Sequence, residues 1–400
     1  MKRNKPVWIT SNVVALGIVS LLTDTATEMA IPLLPAFVTG VLAAGPLMLG
    51  WIEGAADAVA ALLKYLSGRW SDKTGKQRIF VLGGYGLASL VRPLLAIATS
   101  PLHVLGVRVT DRIGKGLRTS PRDVILAASV PREHRGAAFG FHRAMDHAGA
   151  VLGPLVALVI LALSDNNIRL VFALTVIPGV LAILSVIVGV KDKPEQVEER
   201  SGEEREEVFQ QDSTNRAQKN LVRFLVPLSL FTLGNASDVF LLMKAGAEKT
   251  PLYGLPLLWV GLHIVKMISV IPGGALADRW GKQRTIALGW LVYAAIYAGF
   301  AFAQNTTSIT LLFLAYGLYY GLTEGGEKAL IAQIAPGGRR GTAFGWYHMT
   351  LGLMTLPASI LFGFLWEVFS GKVAFLVSAS LALLASLMLI ILSPRITSGE

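Results

Sequence analysis

The sequence predicts an all-α integral membrane protein of twelve transmembrane helices in two pseudo-symmetric six-helix bundles. Three observations carry that expectation. Hydrophobic residues make up 53% of the 400 residues and charged residues only 16%, too apolar for the surface of a water-soluble globule. Apolar runs of about 20 residues, long enough to cross a bilayer, recur from end to end. Finally, the chain repeats itself. Gly68-Arg-Trp-Ser-Asp72-Lys-Thr-Gly75-Lys76-Gln77-Arg78 returns as Gly274-Ala-Leu-Ala-Asp278-Arg-Trp-Gly281-Lys282-Gln283-Arg284, at an offset of 206 residues. Arg135-Gly136-Ala-Ala-Phe139-Gly140 returns as Arg340-Gly341-Thr-Ala-Phe344-Gly345, at an offset of 205. Agreement to one residue makes two whole halves correspond.

The apolar runs of the first half fall at about 9–38, 47–66, 79–99, 102–126, 137–163 and 169–190. Those of the second fall at about 221–243, 252–273, 284–303, 308–333, 341–366 and 373–393. Three parts follow: a bundle over 1–190, a linker over 191–220 and a bundle over 221–400. The linker is polar and rich in glutamate (Glu198, Glu199, Glu203, Glu204, Glu206, Glu207), the composition of a solvated cytoplasmic connection. Many of the 41 glycines lie within the apolar runs, where they permit close backbone approach between packed membrane helices.

The net charge of +10 raises nucleic acid as a partner, but its placement argues against one. Lys2, Arg3 and Lys5 precede the first span; Arg69, Lys73, Lys76 and Arg78 follow the second. Arg118, Arg122, Arg132 and Arg135 follow the fourth, Arg279, Lys282 and Arg284 the eighth, Arg339 and Arg340 the tenth. Loops 39–46, 99–101 and 304–307 carry no Lys or Arg. This asymmetry obeys the positive-inside rule and places both termini in the cytoplasm of a multi-pass protein of the cytoplasmic (inner) membrane. No secretory cleavage signature is evident. With no cysteine, disulfides, thiolate chemistry and Cys-based metal sites are excluded. Membrane lipid and a small-molecule substrate are the expected partners, and a monomer the expected state.

Gly68, Asp72, Gly75, Lys76 and Arg78 read as a tight cytoplasmic turn between helices two and three, and Gly274, Asp278, Gly281, Lys282 and Arg284 as its copy between helices eight and nine. The pattern resembles the Gly-x-x-x-Asp-Arg/Lys-x-Gly-Arg/Lys loop signature of the major facilitator superfamily, and the resemblance covers essentially the whole chain. It implies a secondary transporter whose halves rock about a central site. It also implies a conformational latch, in which Asp72 faces the start of helix eleven near Gly341 and Asp278 the start of helix five near Gly136. A carboxylate there gains about 0.3–1 kcal/mol from the helix dipole. Arg108-Val-Thr-Asp111-Arg112-Ile-Gly114-Lys115-Gly116 is similar to the superfamily's Arg-x-x-Gln-Gly-x-Gly-x-Gly element, whose Arg is linked to proton coupling; here Asp111 and Arg112 replace Gln and Gly. Gly140, Gly149, Gly153 and Pro154 resemble the antiporter glycine-proline element, which implies close packing of helices five and eight, although Ala157-Leu158 replaces its terminal Gly pair. Thr23-Asp24 through Glu28 to Pro32, Asp111 through Asp123, and Glu324-Gly-Gly-Glu327-Lys328 resemble a largely uncharacterised prokaryotic group.

Charged residues inside the spans are the strongest functional signal. Each costs about 2.5–3.5 kcal/mol at the bilayer centre, so residues such as Asp24, Glu28, Glu53, Asp57, Lys64, Arg92, Arg108, Asp111, Arg112, Lys115, Arg143 and Asp146 must face each other or a wet crevice. Asp24 and Glu28 are four apart on one helix, as are Glu53 and Asp57 on the next, so each pair shares a stripe and is able to share a proton. His142 with Asp146, and Arg143 with His147, make two more such pairs. Lys64 reads as a snorkelling anchor and Arg92, beside Pro93, as a structural ion-pair partner. At the ends of helices four and ten, Arg122 and Asp123 stand where the second half has Glu327 and Lys328, a sign inversion that suits cross-half ion pairs. Asp238, His263, Lys266, Glu324 and His348 complete the candidates in a quieter second half, which leaves ion coupling to the first.

The reading is a proton-coupled carrier of a small solute, exporting by exchange against protons. Asp24, Glu28, Asp57, Asp111 and Asp146 titrate and Arg108 modulates them. The rival is a proton-coupled importer of an anionic solute or metal chelate, bound by Arg and Lys. No cofactor other than the coupling proton and no resident metal is expected. An enzyme is not expected, because neither His-Glu-x-x-His nor Gly-x-Ser-x-Gly occurs.

Overall fold

The computed structural model describes residues 9–130, 135–191, 210–334 and 340–397. Within them the chain is helical, with no strand. The elements in order are α1 (Ser11–Ala30), α2 (Pro46–Thr74), α3 (Gln77–Val91), α4 (Pro101–Ala128), α5 (Arg135–Leu163) and α6, broken at Thr175 into Ile168–Leu174 and Val176–Gly189. The second half has α7, in two pieces (Gln210–Gly234 and Val239–Ala247), α8 (Gly254–Trp280), α9 (Lys282–Phe302), α10 (Thr306–Ile334), α11 (Arg340–Val368) and α12 (Gly371–Thr397). Their starts follow local chemistry. Thr10, Ser100 and Asn167 accept the backbone N–H three residues ahead, capping α1, α4 and α6. Among the described residues ten stretches are both long and apolar enough to span a membrane. Charged α4 and α10, with its tyrosines and late acids, have the length but not the apolarity.

Several expected boundaries move. α2 runs to Thr74, past the predicted 66, so Gly68 through Asp72 is helix and not turn. The chain reverses at Gly75, whose φ of +64° is the left-handed conformation that glycine adopts without a Cβ penalty. The copy behaves alike: α8 continues to Trp280, and Gly281 carries φ +95°. α7 begins at Gln210, inside the stretch read as linker. The linker glutamates, Lys2, Arg3, Lys5, Arg132 and Arg339 lie outside the described residues.

Packing separates two compact units, Met1–Pro194 with Ser237–His263, and Glu195–Ala236 with Ile264–Glu400. The division falls at the break in α7 and within α8. In the first unit an aliphatic core (Val13, Leu16, Val19, Val81, Leu126, Val186) surrounds the buried Tyr85. The second is built on aromatics: Phe231 stacks on Trp290 at 4.7 Å and Tyr293 on Tyr297 at 4.0 Å.

A close backbone approach in the first unit joins α1 to α5. A Cβ at Gly149 would meet the Leu21 carbonyl oxygen at 2.5 Å, and one at Gly153 the Thr25 oxygen at 2.6 Å. These two glycines of α5 face α1, and their missing side chains bring α5 against the stretch carrying Asp24 and Glu28. Gly140 lies outside the described side chains. Backbone atoms yield less than a rotamer does, so Gly149→Val is expected to lose about 1–3 kcal/mol of stability. A thermal melt of the purified variant checks this, and an unchanged Tm contradicts it.

Candidate functional site

α4 carries Arg108, Asp111 and Arg112 at three- and four-residue spacing, one stripe of a helix. Arg108 donates through Nε and Nη2 to the two oxygens of Glu53 on α2, at 2.9 and 2.8 Å. Its Nη1 lies 3.8 Å from Asp111 Oδ2. Asp111 Oδ1 accepts from Arg92 Nη2 at 2.6 Å. Arg92 opens the 3₁₀ turn Arg92–Ile97 that extends α3, where Pro93 removes a backbone donor. Two acids and two guanidiniums thus form one neutral chain across α2, α3 and α4. All four are buried, at 3–4% exposure. One turn further along, Arg112 Nε stands 3.3 Å from Asp57 Oδ1. This resolves the membrane cost of those charges: the bundle supplies each with a counter-charge, and the bidentate Arg108–Glu53 contact is the strong, charge-assisted kind. A small cavity, with room for about one water, opens beside the chain between Thr27, Arg92, Arg108 and Asp111.

Glu53 and Asp57, which share a stripe of α2, each face a different arginine. Asp111, expected to titrate, is a link between two guanidiniums. Arg108 holds Glu53. Arg92 is the structural ion-pair partner expected of it.

A second cluster lies between α1 and α5. Asp146 accepts a short hydrogen bond from the Ser20 hydroxyl. His142 Nδ1 is 3.5 Å from Asp146 Oδ1, as its spacing predicts. Arg143 Nη1 lies 3.4 Å from Asp146 Oδ2, so the expected Arg143–His147 pair gives way to Arg143–Asp146. Asp24, one turn beyond Ser20, is half-buried. Among the described residues no base lies within ion-pair distance of it; the nearest charges are Asp146, Lys115, Glu28 and Arg118. Lys115 is exposed, likewise unpaired, with Arg112, Lys64, Asp24 and Asp57 as its charged neighbours. Glu28, one turn beyond Asp24, accepts the indole N–H of Trp259 at 2.7 Å. Asp24 is the acid of this cluster left without a fixed partner.

The remaining candidates separate. His263 packs its ring edge-on to Trp259 at 5.5 Å, and Asp238 is half-buried at the start of the second piece of α7. In the second unit Lys266 Nζ lies 3.5 Å over the Tyr320 ring, a cation–π contact. His348 is exposed, with its ring 5.0 Å from that of Tyr347. Glu324 pairs with Lys328 at 3.4 Å, and Arg122 with Asp123 at 2.8 Å. Glu327 is buried and accepts from the Tyr347 hydroxyl at 2.8 Å. Of the latch residues, a Cβ at Gly68 would meet the Ser120 side chain at 3.3 Å, Lys76 and Arg284 are exposed, and a Cβ at Gly274 would meet open space. Arg78 donates to the Ile187 carbonyl at 2.7 Å, and Lys282 to Gln333 at 2.9 Å. The side chains of Asp72 and Asp278 lie outside the described residues. Ser20, Trp259 and Tyr347 escaped sequence reasoning, because nothing in a serine or an aromatic inside an apolar run marks a carboxylate partner on another helix.

Comparison with known proteins places this geometry in context. The model of the Major Facilitator Superfamily matches residues 16–327 and 264–399. An uncharacterized MFS-type transporter of Methanocaldococcus jannaschii is 32% identical, over 96% of this chain and 95% of its own. The cis,cis-muconate transport protein of Acinetobacter baylyi is 23% identical, over 80% of this chain and 78% of its own. In fold, the crystal structure of a D-xylose-proton symporter superposes with a TM-score of 0.73 at 17% identity, covering 96% of this chain and 97% of that one.

Proposed function

Because this chain belongs to the Major Facilitator Superfamily, we propose that it is a proton-coupled secondary transporter that exports a small solute in exchange for protons. The observation that carries the reading is Asp24. It is a carboxylate within a membrane span that, among the described residues, has no base within ion-pair distance, near Asp146, on the helix against which Gly149 and Gly153 bring α5. Intramembrane acids left without a fixed counter-charge mark proton and substrate paths. The buried Glu53–Arg108–Asp111–Arg92 chain is the scaffold that holds α2, α3 and α4 together, and is not the proton carrier. The basic loops orient the chain with both termini in the cytoplasm of the inner membrane.

A second reading has its own support. Among the described residues neither Lys115, which is exposed, nor Lys64, which is half-buried, has an ion-pair partner, and both stand among the first unit's charges. An anionic solute would satisfy them, and one relative is named for transport of a dicarboxylate. Flux separates the two. A solute that raises the Tm of the purified protein is loaded into proteoliposomes of known orientation and a pH gradient is imposed. Export predicts movement against the proton flow, and uptake predicts movement with it. Flux indifferent to the gradient contradicts both.

A further inference from the structure

We propose that the second half carries a proton-binding site of its own, formed by the Glu327 carboxylate, the Tyr347 hydroxyl and the Trp290 indole. This rests on the proton-coupled reading and deepens it, since the sequence left ion coupling to the first half.

Three helices of the second unit bring the groups together. Glu327, on α10, is 7% exposed. It accepts from the Tyr347 hydroxyl of α11 at 2.8 Å. The indole N–H of Trp290, on α9, is fully buried, has no hydrogen-bond partner among the described residues, and faces the same carboxylate. The ionisable groups around it among the described residues are few. Lys328 and Glu324 lie on its own helix, where they bind each other, and Tyr347, itself beside Tyr319, faces it from α11. α9 presents only Trp290. Among the described residues no arginine, lysine or histidine comes within ion-pair distance of Glu327, whereas Glu53, Asp57, Asp111 and Asp146 of the first unit each have such a partner.

The internal repeat sharpens the point. At the offset of 205 residues, Glu327, Trp290 and Tyr347 correspond to Arg122, Tyr85 and His142. One half thus places a permanent cation where the other places an acid with neutral partners. A buried carboxylate without a counter-ion holds its charge only against a desolvation cost, and a proton removes that cost. The step is simple and balanced: Glu327 takes one proton from water to become the neutral acid, and returns it. A hydroxyl and an indole suit such a site, because the hydroxyl donates to the carboxylate, the indole N–H faces it, and neither fixes its charge.

Infrared difference spectra of the purified full chain in detergent, titrated through neutral pH, test this without any solute. The wild type is expected to show the carbonyl stretch of a protonated carboxyl growing in as pH falls. Asp24 contributes a band of its own, so the comparison is made in the Asp24→Asn background: there Glu327→Gln should lose the remaining band, and Tyr347→Phe should retain it with a displaced midpoint. A band that survives when Glu327→Gln is added to Asp24→Asn, or an Asp24→Asn protein with no such band, overturns the proposal. Should Glu327→Gln fail to fold, Tyr347→Phe decides alone, and an unmoved midpoint overturns it. Since the readout involves no transport, proton-driven flux in the wild type with no Glu327 band removes this site and leaves the proton-coupled reading standing.

Discussion

Arg108→Ala is expected to be among the most destabilising single substitutions in the protein, because it strands Glu53 in a dry interior. The guanidinium makes both of the Glu53 hydrogen bonds and lies within 3.8 Å of Asp111. Removing one partner of a buried pair costs about 3–5 kcal/mol, most of it the uncompensated charge left behind. Glu53→Gln should cost less than Arg108→Ala, since Asp111 still faces the orphaned guanidinium. The double change Arg108→Met with Glu53→Met should recover much of the loss, because it removes both charges together. Thermal melts of the three variants in one detergent check the order. Equal melting temperatures for Arg108→Ala and wild type would show that the chain of ion pairs contributes little.

Asp24→Asn acts on coupling and leaves the fold intact. The side chain is half-buried with no ion pair to lose, so the amide should fit with a Tm close to wild type. Proton-driven accumulation of solute should fall to the level of protein-free vesicles, while exchange of labelled for unlabelled solute across the same membrane continues. The split matters because a general folding defect abolishes both. Asp111→Asn, by contrast, opens the Arg92–Asp111–Arg108 link and should lose stability along with transport. Full accumulation in Asp24→Asn with unchanged pH dependence removes Asp24 from the proton path.

The repeat and the apolar runs made most of the fold legible, because helix length and hydropathy are local properties of the chain. What they misplaced were ends. Gly75 and Gly281 stop α2 and α8, and a motif that reads as loop is helix up to that glycine. The site was legible in inventory and not in pairing. Spacing put Glu53 beside Asp57, yet the arginines that claim them come from α4, some 55 residues away. Glu28 finds its donor 231 residues along, on Trp259. Helical spacing reports which residues share a face; which face meets which is settled by packing, as at Gly149 and Gly153, and no periodicity reveals it. Where both partners lay one turn apart on one helix, as with His142 and Asp146, the expectation held.

The most direct measurement follows the pH inside sealed proteoliposomes while a stabilising solute moves down its own gradient through the wild-type chain. Proton movement opposite to the solute, absent from empty vesicles and from Asp24→Asn, is the expected result. Solute flux that leaves the internal pH unchanged would contradict proton coupling altogether.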